Sequence, residues 1–314
     1  MEAHERVEFG VYVPQVGFTY DEIAARAELC EELGFHSLWF FDHLYAPELP
    51  GQPSFEGWTL ATSVLARTTT LRVGHLVLCN TFRHPALLAK MATSLDVISG
   101  GRLELGIGSG SYRTEHEQAG IAWSTLRERT DQLEEALAIV TSMLSQPATT
   151  FDGRYYRVHD LPNVPSPVQQ PRPPIHVGGA GERTTLPLVA KYADVWNCPT
   201  YALGEFERKH DVLRAECARV GRDPGAVRVS HEAVLVLADS QPALEDALRL
   251  AERRFGGPGW GLHEGGYVGT PAAVVERIRA AVERGITFFV FFTHDRADPE
   301  TLRRFARNVM PAFR

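Results

Sequence analysis

The segment SLWFFDH (residues 37–43) joins an apolar run directly to two ionisable residues. Its apolar part, Leu38 to Phe41, shows no alternation of polar and apolar residues, and the run TFFVFF (287–292) has the same character. Uninterrupted runs of this kind are typical of parallel strands that are buried on both faces. The segment therefore predicts a strand within a parallel sheet, with Asp42 and His43 at its carboxyl end.

Around this segment, β-rich runs alternate with runs of apolar residues at helical spacing. We predict strands at 7–13, 37–41, 71–78, 102–107, 175–178, 194–197, 227–236 and 286–292. The predicted fold class is α/β, a single (β/α)8 TIM barrel that spans residues 1–314. An open doubly wound sheet is the alternative, but Val13-Pro14-Gln15 stands where the Gly-x-Gly-x-x-Gly turn of that fold would follow the first strand.

Two segments, at about 147–174 and 255–270, interrupt the alternation, and we expect both insertions at the carboxyl-end face of the barrel. The first is rich in proline and includes Tyr155 and Tyr156. Long loops inside a compact domain usually have a function. We therefore predict that residues 147–174 form a lid over the site.

Composition narrows the class of partner. A formal net charge of -7, without any run of Lys and Arg, disfavours nucleic acid and favours a small-molecule substrate. The polar start of the chain and the lack of a long apolar run predict a cytoplasmic protein that does not engage a membrane. Neither the histidines nor the four cysteines have metal-ligand spacing, so we expect free thiols and no metal.

Polar and glycine residues collect where the predicted strands end. Active sites of barrels of this type lie in the loops that follow the strands, so these residues are expected to share one mouth. The turn Gly178-Gly179-Ala180-Gly181 opens a helix with its amides unobstructed, which suits a phosphate group, although a tight turn alone also explains the glycines. His231 and Glu232, inside the seventh strand, are interpreted as a structural polar pair.

Several motifs together resemble the bacterial luciferase-like monooxygenase family over nearly the whole chain. They are WFFDH (39–43), RHPALLAK (83–90), LDVISGGRL (95–103), LGIGSG (105–110), PPIHVGG (173–179), YADVWN (192–197), GTP (269–271) and VMP (309–311). The resemblance is strongest to the branch that uses the deazaflavin coenzyme F-420 (F420), and reduced flavin mononucleotide (FMN) is the alternative cofactor. It implies a homodimer, and a flavin reductase partner only if FMN is the cofactor.

The resemblance also implies roles for individual residues. His43 and Asp42 would face the cofactor ring, and the third strand would bulge near Leu76 to Cys79 around a non-prolyl cis peptide. The residues assigned to cofactor binding are Val77, Leu78, Cys79, Thr81, Gly108, Gly178, Gly179, Ala180, Gly181 and Thr184. Ser111 stands where sugar-phosphate dehydrogenases of the family have a glutamate, which places a sugar-phosphate substrate in doubt and leaves the proton donor open among His43, Glu115 and His116.

These features predict an oxidoreductase that transfers a hydride between F420 and a small organic substrate. Two alternatives stay open. One is a two-component monooxygenase that uses reduced FMN and oxygen, and the other is a protein that binds flavin or deazaflavin without turnover.

Overall fold

The computed structural model describes residues 6–47, 49–257 and 260–314. The strands are β1 (Glu8–Tyr12), β2 (Ser37–Phe40), β3 (Arg72–His75), β4 (Leu78–Cys79), β5 (Leu103–Gly108), β6 (Ala148–Asp152), β7 (Arg157–Pro162), β8 (Ile175–Gly178), β9 (Val195–Pro199), β10 (Arg228–Leu237), β11 (Tyr267–Gly269) and β12 (Ile286–Thr293). Within the described residues, eight parallel strands close a barrel in the order β1, β2, β3, β5, β8, β9, β10, β12. Closure follows because β10 pairs with both β9 and β12.

Helices surround the barrel. They are α1 (Tyr20–Leu33), α2 (Gly57–Arg67), α3 (Pro85–Ser99), α4 (Arg113–Ala119), α5 (Leu126–Ser145), α6 (Thr185–Tyr192), α7 (Phe206–Arg219), α8 (Gln241–Phe255), α9 (Leu262–Gly265), α10 (Pro271–Glu283) and α11 (Pro299–Asn308). Local sequence sets their ends. Thr19 and Thr125 each form a capping box with the glutamate three residues later, and Gly34 ends α1 in the left-handed conformation.

Apolar side chains form two layers, because successive residues of each strand point to opposite faces. One layer lies between strands and helices and includes Phe40, Ile107 and Phe289. The other fills the inside of the barrel and includes Trp39 and Phe288.

Polar groups cluster inside the amino-terminal end of the barrel. Buried Glu104 accepts a hydrogen bond from His176 Nε2 at 2.6 Å and pairs with Arg72. The cavity described below lies at the opposite end, where the strands reach their carboxyl ends.

The predicted fold class, a (β/α)8 TIM barrel, is confirmed. The third predicted strand, 71–78, is divided into β3 and β4, with a cis peptide between Leu76 and Val77. The resemblance had implied a break of this kind, and the apolar pattern of the segment alone had not indicated it.

The predicted lid is wrong for residues 147–174. In the described residues, none of this segment lines the cavity. β6 and β7 form an antiparallel hairpin whose turn is held on the side of α5, because Glu135 accepts hydrogen bonds from the amides of Arg154, Tyr155 and Tyr156. The chain then runs to the other end of the barrel, where Gln169 contacts Asp96.

The second insertion lies near the mouth of the barrel. α9 packs on the 3-10 segment Thr200–Glu205, which follows β9, and Trp260 contacts Phe292 at the carboxyl end of β12. Pro258 and Gly259, within the predicted range 255–270, lie outside the described residues.

Candidate active site

A cavity of about 470 Å³ lies at the carboxyl ends of the strands. The size is within the range of small-molecule and cofactor sites. It brings together nearly all residues that were predicted from separate parts of the chain. The predicted residues that line it are Asp42, His43, Val77, Leu78, Cys79, Gly108, Ser111, Gly178, Gly179, Ala180, Gly181 and Thr184.

The bulge between β3 and β4 places Val77 against glycines of the next two strands. A β-carbon on Gly108 would lie 2.7 Å from Val77 Cγ2, and one on Gly178 would lie 3.1 Å from Val77 Cγ1. Both distances are shorter than ordinary packing allows. The glycines therefore make room for Val77, and the non-prolyl cis peptide that the resemblance implied is present between Leu76 and Val77.

Asp42 supports the bulge, although the sequence suggested that it faces the cofactor ring. Its buried carboxylate accepts hydrogen bonds from Arg83 Nη1 at 2.6 Å, Arg83 Nη2 at 2.8 Å and the Cys79 amide at 2.8 Å. These three donors occupy both oxygens. Asp42 thus lines the cavity as an anchor for β4, and we correct its predicted catalytic role to a positioning role.

His43 is the side chain whose geometry suits proton handling. Its Nδ1 lies 2.9 Å from Oε2 of buried Glu115, whose other oxygen accepts a hydrogen bond from the Leu44 amide. An ionised carboxylate only accepts, so Nδ1 carries the hydrogen and Nε2 is left as the second ring nitrogen. This arrangement orients the imidazole as carboxylates orient histidines in other sites.

Thr81 does not line the cavity, which corrects its predicted contact with the cofactor. Its Oγ1 lies 2.6 Å from His116 Nε2, and His116 Nδ1 lies 2.9 Å from the Tyr112 carbonyl oxygen. A carbonyl oxygen only accepts, so Nδ1 donates to it, and in a neutral imidazole Nε2 then accepts from the Thr81 hydroxyl. Thr81 therefore acts through buried His116, which does line the cavity.

Replacing Thr81 by valine is expected to lower the free energy of unfolding by about 1–3 kcal/mol, because a buried ring nitrogen loses its donor. Urea denaturation measures the change. Thr81→Ser, which keeps the hydroxyl, is the matched control and should lose less. Equal losses in the two variants would show that the hydroxyl contributes nothing.

The turn after β8 presents free amides, as its glycines predicted. In the described part of the chain, the amides of Ala180 and Gly181 donate to no protein acceptor. A β-carbon on Gly181 would lie 2.2 Å from Thr184 Oγ1, and one on Gly179 would lie 3.2 Å from Thr185 Oγ1. The turn is therefore a concave surface of amides and hydroxyls, the arrangement that binds anions at a helix start.

Two further predicted residues, Cys79 and Ser111, line the cavity without a reactive role. Burial raises the pKa of the Cys79 thiol to about 11, so the thiol is neutral at neutral pH and is not a nucleophile. Ser111 lies at the exposed rim of the cavity.

Several lining residues were absent from the predicted set. They are Thr185, Tyr201 and Glu232. The predicted pairing of His231 with Glu232 is wrong, because neighbours on a strand point to opposite faces. His231 contacts the Tyr267 hydroxyl at 3.1 Å on the helix side, whereas Glu232 points into the cavity. The alternation of side chains along β10 was the sequence signal that could have placed His231 and Glu232 on opposite faces of the strand.

The family comparison is decisive once this geometry is known. The model of the luciferase-like monooxygenase family matches residues 6–258. The chain belongs to the luciferase-like monooxygenase family. The family resemblance read from the sequence motifs is thereby confirmed.

Relatives within this family extend over nearly the whole chain. An F420-dependent hydroxymycolic acid dehydrogenase of Mycobacterium tuberculosis is 27% identical, with 97% of this chain and 88% of that protein covered. An F420-dependent glucose-6-phosphate dehydrogenase of Beutenbergia cavernae is 29% identical, with 95% and 94% covered. The coenzyme F420-dependent tetrahydromethanopterin reductase of Methanopyrus kandleri has the same fold, with a TM-score of 0.80, 18% identity, and 98% and 100% covered.

The remaining predictions concern membranes, metal ions, the oligomeric state and the location of the protein. None of the helices in the described residues has the length and apolarity that crossing a membrane requires. Within the same residues, no cluster of three or more His, Cys, Asp or Glu could hold a metal ion. The homodimer and the cytoplasmic location stay predictions.

Proposed function

We propose that this protein is an F420-dependent oxidoreductase that transfers a hydride between the deazaflavin and a small, uncharged organic substrate. The observation that carries the proposal is one cavity that joins the amide-rich turn 178–181, the Val77 bulge and the His43–Glu115 pair. The two curated relatives described above, named as F420-dependent, support this choice of cofactor.

The residues present fit such a cofactor. The turn 178–181 offers amides and the hydroxyls of Thr184 and Thr185 to a phosphate, and β-carbons at Gly179 and Gly181 would narrow that space. Val77 and the glycines beside it leave an even surface against which a flat ring system can lie. When bound, the deazaflavin supplies or accepts the hydride, and the protein supplies position and exclusion of water.

His43 would orient the reacting groups. Held by Glu115, its imidazole cannot rotate freely, and its Nε2 is the atom with which it can bond to cofactor or substrate. Ser111, which the resemblance places where sugar-phosphate dehydrogenases have a glutamate, lies at the rim of the cavity.

The charge of the cavity supports an uncharged substrate. Its lining in the described residues contains no lysine or arginine, and it contains the carboxyls of Asp42, Glu115 and Glu232. A phosphorylated substrate would have no cationic side chain in this lining to bind it. Leu126 and Tyr201, both largely exposed, line the cavity and favour an apolar group on the substrate.

Cofactor titration tests the proposal directly. Purified protein is titrated with F420 and, separately, with FMN, and fluorescence of the bound ring system is followed. We expect F420 to bind at least about tenfold more tightly, a difference of about 1.4 kcal/mol. Tight binding of FMN without binding of F420, and oxygen uptake with reduced FMN, would identify the monooxygenase alternative instead.

Gly179→Ala is expected to weaken F420 binding by about tenfold or more, because Gly179 has φ of +118° and a residue with a β-carbon is strained there by about 1–3 kcal/mol. The strain would turn the amides of 180 and 181 away from the phosphate. The matched control is Gly204→Ala, since a β-carbon at Gly204 meets no atom within 4 Å. Equal affinities in the two variants would count against phosphate binding at this turn.

A further inference from the structure

Glu232 faces the cavity from the middle of β10. Side chains alternate along the strand, so Glu232 lies on the same face as Val234, inside the barrel. Its neighbours at the mouth are Pro199, the last residue of β9, and Tyr201, which follows that strand. Glu232 is thus a carboxyl on a rigid strand of the site, and none of the roles assigned above uses it.

The carboxyl of Glu232 has one polar side-chain contact, and that contact carries no charge. Asn197 Nδ2 donates to Glu232 Oε2 at 3.0 Å, and Asn197 Oδ1 accepts from Ser230 Oγ at 3.2 Å, which fixes the orientation of the amide. Within the described residues, no cationic side chain pairs with Glu232. The backbone is held as well, because Thr200 Oγ1 donates to the Glu232 carbonyl oxygen.

The groups packed around Glu232 provide no counter-charge. Burial, with a smaller contribution from Glu232, raises the pKa of Tyr12 on β1 and of Tyr201 after β9, so both stay neutral at neutral pH. Burial also raises the pKa of Cys198 on β9 to about 12. On the other side, β12 places Val290 in register with Glu232.

The other two carboxyls of the lining have strong partners. Asp42 is bound by Arg83, and Glu115 is bound by His43 and a backbone amide. Glu232 has an amide donor alone, and burial raises its pKa to about 7. A carboxyl with these properties can carry a proton at neutral pH and also release it, which suits general acid and base work.

We propose that Glu232 is the acid–base residue that exchanges a proton with the oxygen of the substrate. The assignment rests on the proposed function. In the direction of reduction, a carbonyl carbon gains the hydride, the π electrons of the C=O bond move to oxygen, and that oxygen takes the proton of the Glu232 carboxyl. The carboxylate regains a proton from solvent, and alcohol oxidation is the reverse, with Glu232 as the base.

The first test needs no cofactor and compares melting temperatures of the wild type and Glu232→Gln across pH. The unfolded chain ionises this carboxyl near its ordinary pKa of about 4.3, whereas the folded protein keeps the proton until about pH 7. The contribution of this carboxyl to the free energy of unfolding is therefore fully present below the pKa of the unfolded chain, and it is lost as pH rises through the pKa of the folded protein. Glutamine cannot ionise. The melting temperature of the variant relative to that of the wild type should therefore rise by at least about 2 °C between about pH 5 and pH 8.

Glu264→Gln is the matched control, because Glu264 is exposed on α9 and should change nothing with pH. Infrared spectroscopy gives a second signature. The wild type should lose a protonated-carboxyl band as pH rises through about 7, and Glu232→Gln should lack that band. If the melting-temperature difference does not vary with pH and the band is absent, the assignment is overturned.

The second test uses F420-loaded protein with cyclohexanone as the probe for a carbonyl. We expect its apparent affinity to fall by about tenfold in the wild type as pH rises through 7, since a hydrogen-bond donor is lost, and to stay constant in Glu232→Gln. Both proteins are compared at saturating F420. Identical pH behaviour of both proteins refutes the role of Glu232, whereas failure of both to bind F420 refutes the proposed function and leaves the pH-dependent stability as a separate result.

Discussion

Replacing Asp42 by alanine is expected to lower the free energy of unfolding by about 3–5 kcal/mol, the cost of leaving one partner of a buried ion pair behind. Two donors, Arg83 Nη1 and the Cys79 amide, lose their acceptor at once, and Arg83 Nη2 is left with Glu56 Oε1 at 2.8 Å as its carboxylate partner. The Arg83 side chain is only 14% exposed, so water does not readily replace the carboxylate. Denaturant titration measures the loss.

The matched control is Asp246→Ala. Asp246 also pairs with an arginine, Arg249, but its side chain is 75% exposed and that of Arg249 is 64% exposed. Exposed pairs contribute about 0–1 kcal/mol, so this variant should stay close to the wild type. If the two variants lose the same stability, Asp42 is not the anchor of β4 that its contacts describe.

Gly106→Ala is expected to cost more than about 3 kcal/mol or to yield no folded protein, since overpacking against an immobile atom exceeds the usual range. A β-carbon at Gly106 would lie 1.9 Å from the His75 carbonyl oxygen, at the point where β3 ends. This oxygen belongs to the backbone and has no rotamer to change. Strands β3 and β5 would have to separate.

Gly108→Ala provides the comparison, because its β-carbon would meet the Val77 side chain at 2.7 Å. Combining Gly108→Ala with Val77→Ala should therefore recover stability, whereas combining Gly106→Ala with Val77→Ala should not. Melting temperatures of the four variants and the wild type decide the matter. Recovery of the Gly106 variant by Val77→Ala would show that the clash is not with the backbone.

Much of the fold was predictable because its determinants are local. The apolar runs of β2 and β12 indicate buried parallel strands, and the helices begin and end at caps and glycines that are visible in the sequence. The hairpin β6–β7 was not predictable as a side element, because the contacts that fix it, such as Glu135 to three distant amides, are made between separate parts of the chain.

The candidate site divides in the same way. Position at the end of a strand predicted that His43 and the turn 178–181 meet in one cavity, and the family resemblance added Val77. The roles of Asp42 and Thr81 depend on their partners Arg83 and His116, which no spacing rule connects to them. Alternation along β10 does place Glu232 inside the barrel, but only once the register of that strand is known.

The turn after β8 offers its main chain to a ligand, and this has a consequence for how members of such a family can diverge. Peptide amides are the same for every residue type except proline, so the part of the cavity built from them survives most substitutions. The side chains of Leu126, Tyr201 and Glu232, on other segments, are free to change without loosening that hold. Cofactor binding and substrate selectivity thereby depend on different parts of the chain. Substitutions that change the substrate can therefore leave the affinity for the cofactor unchanged.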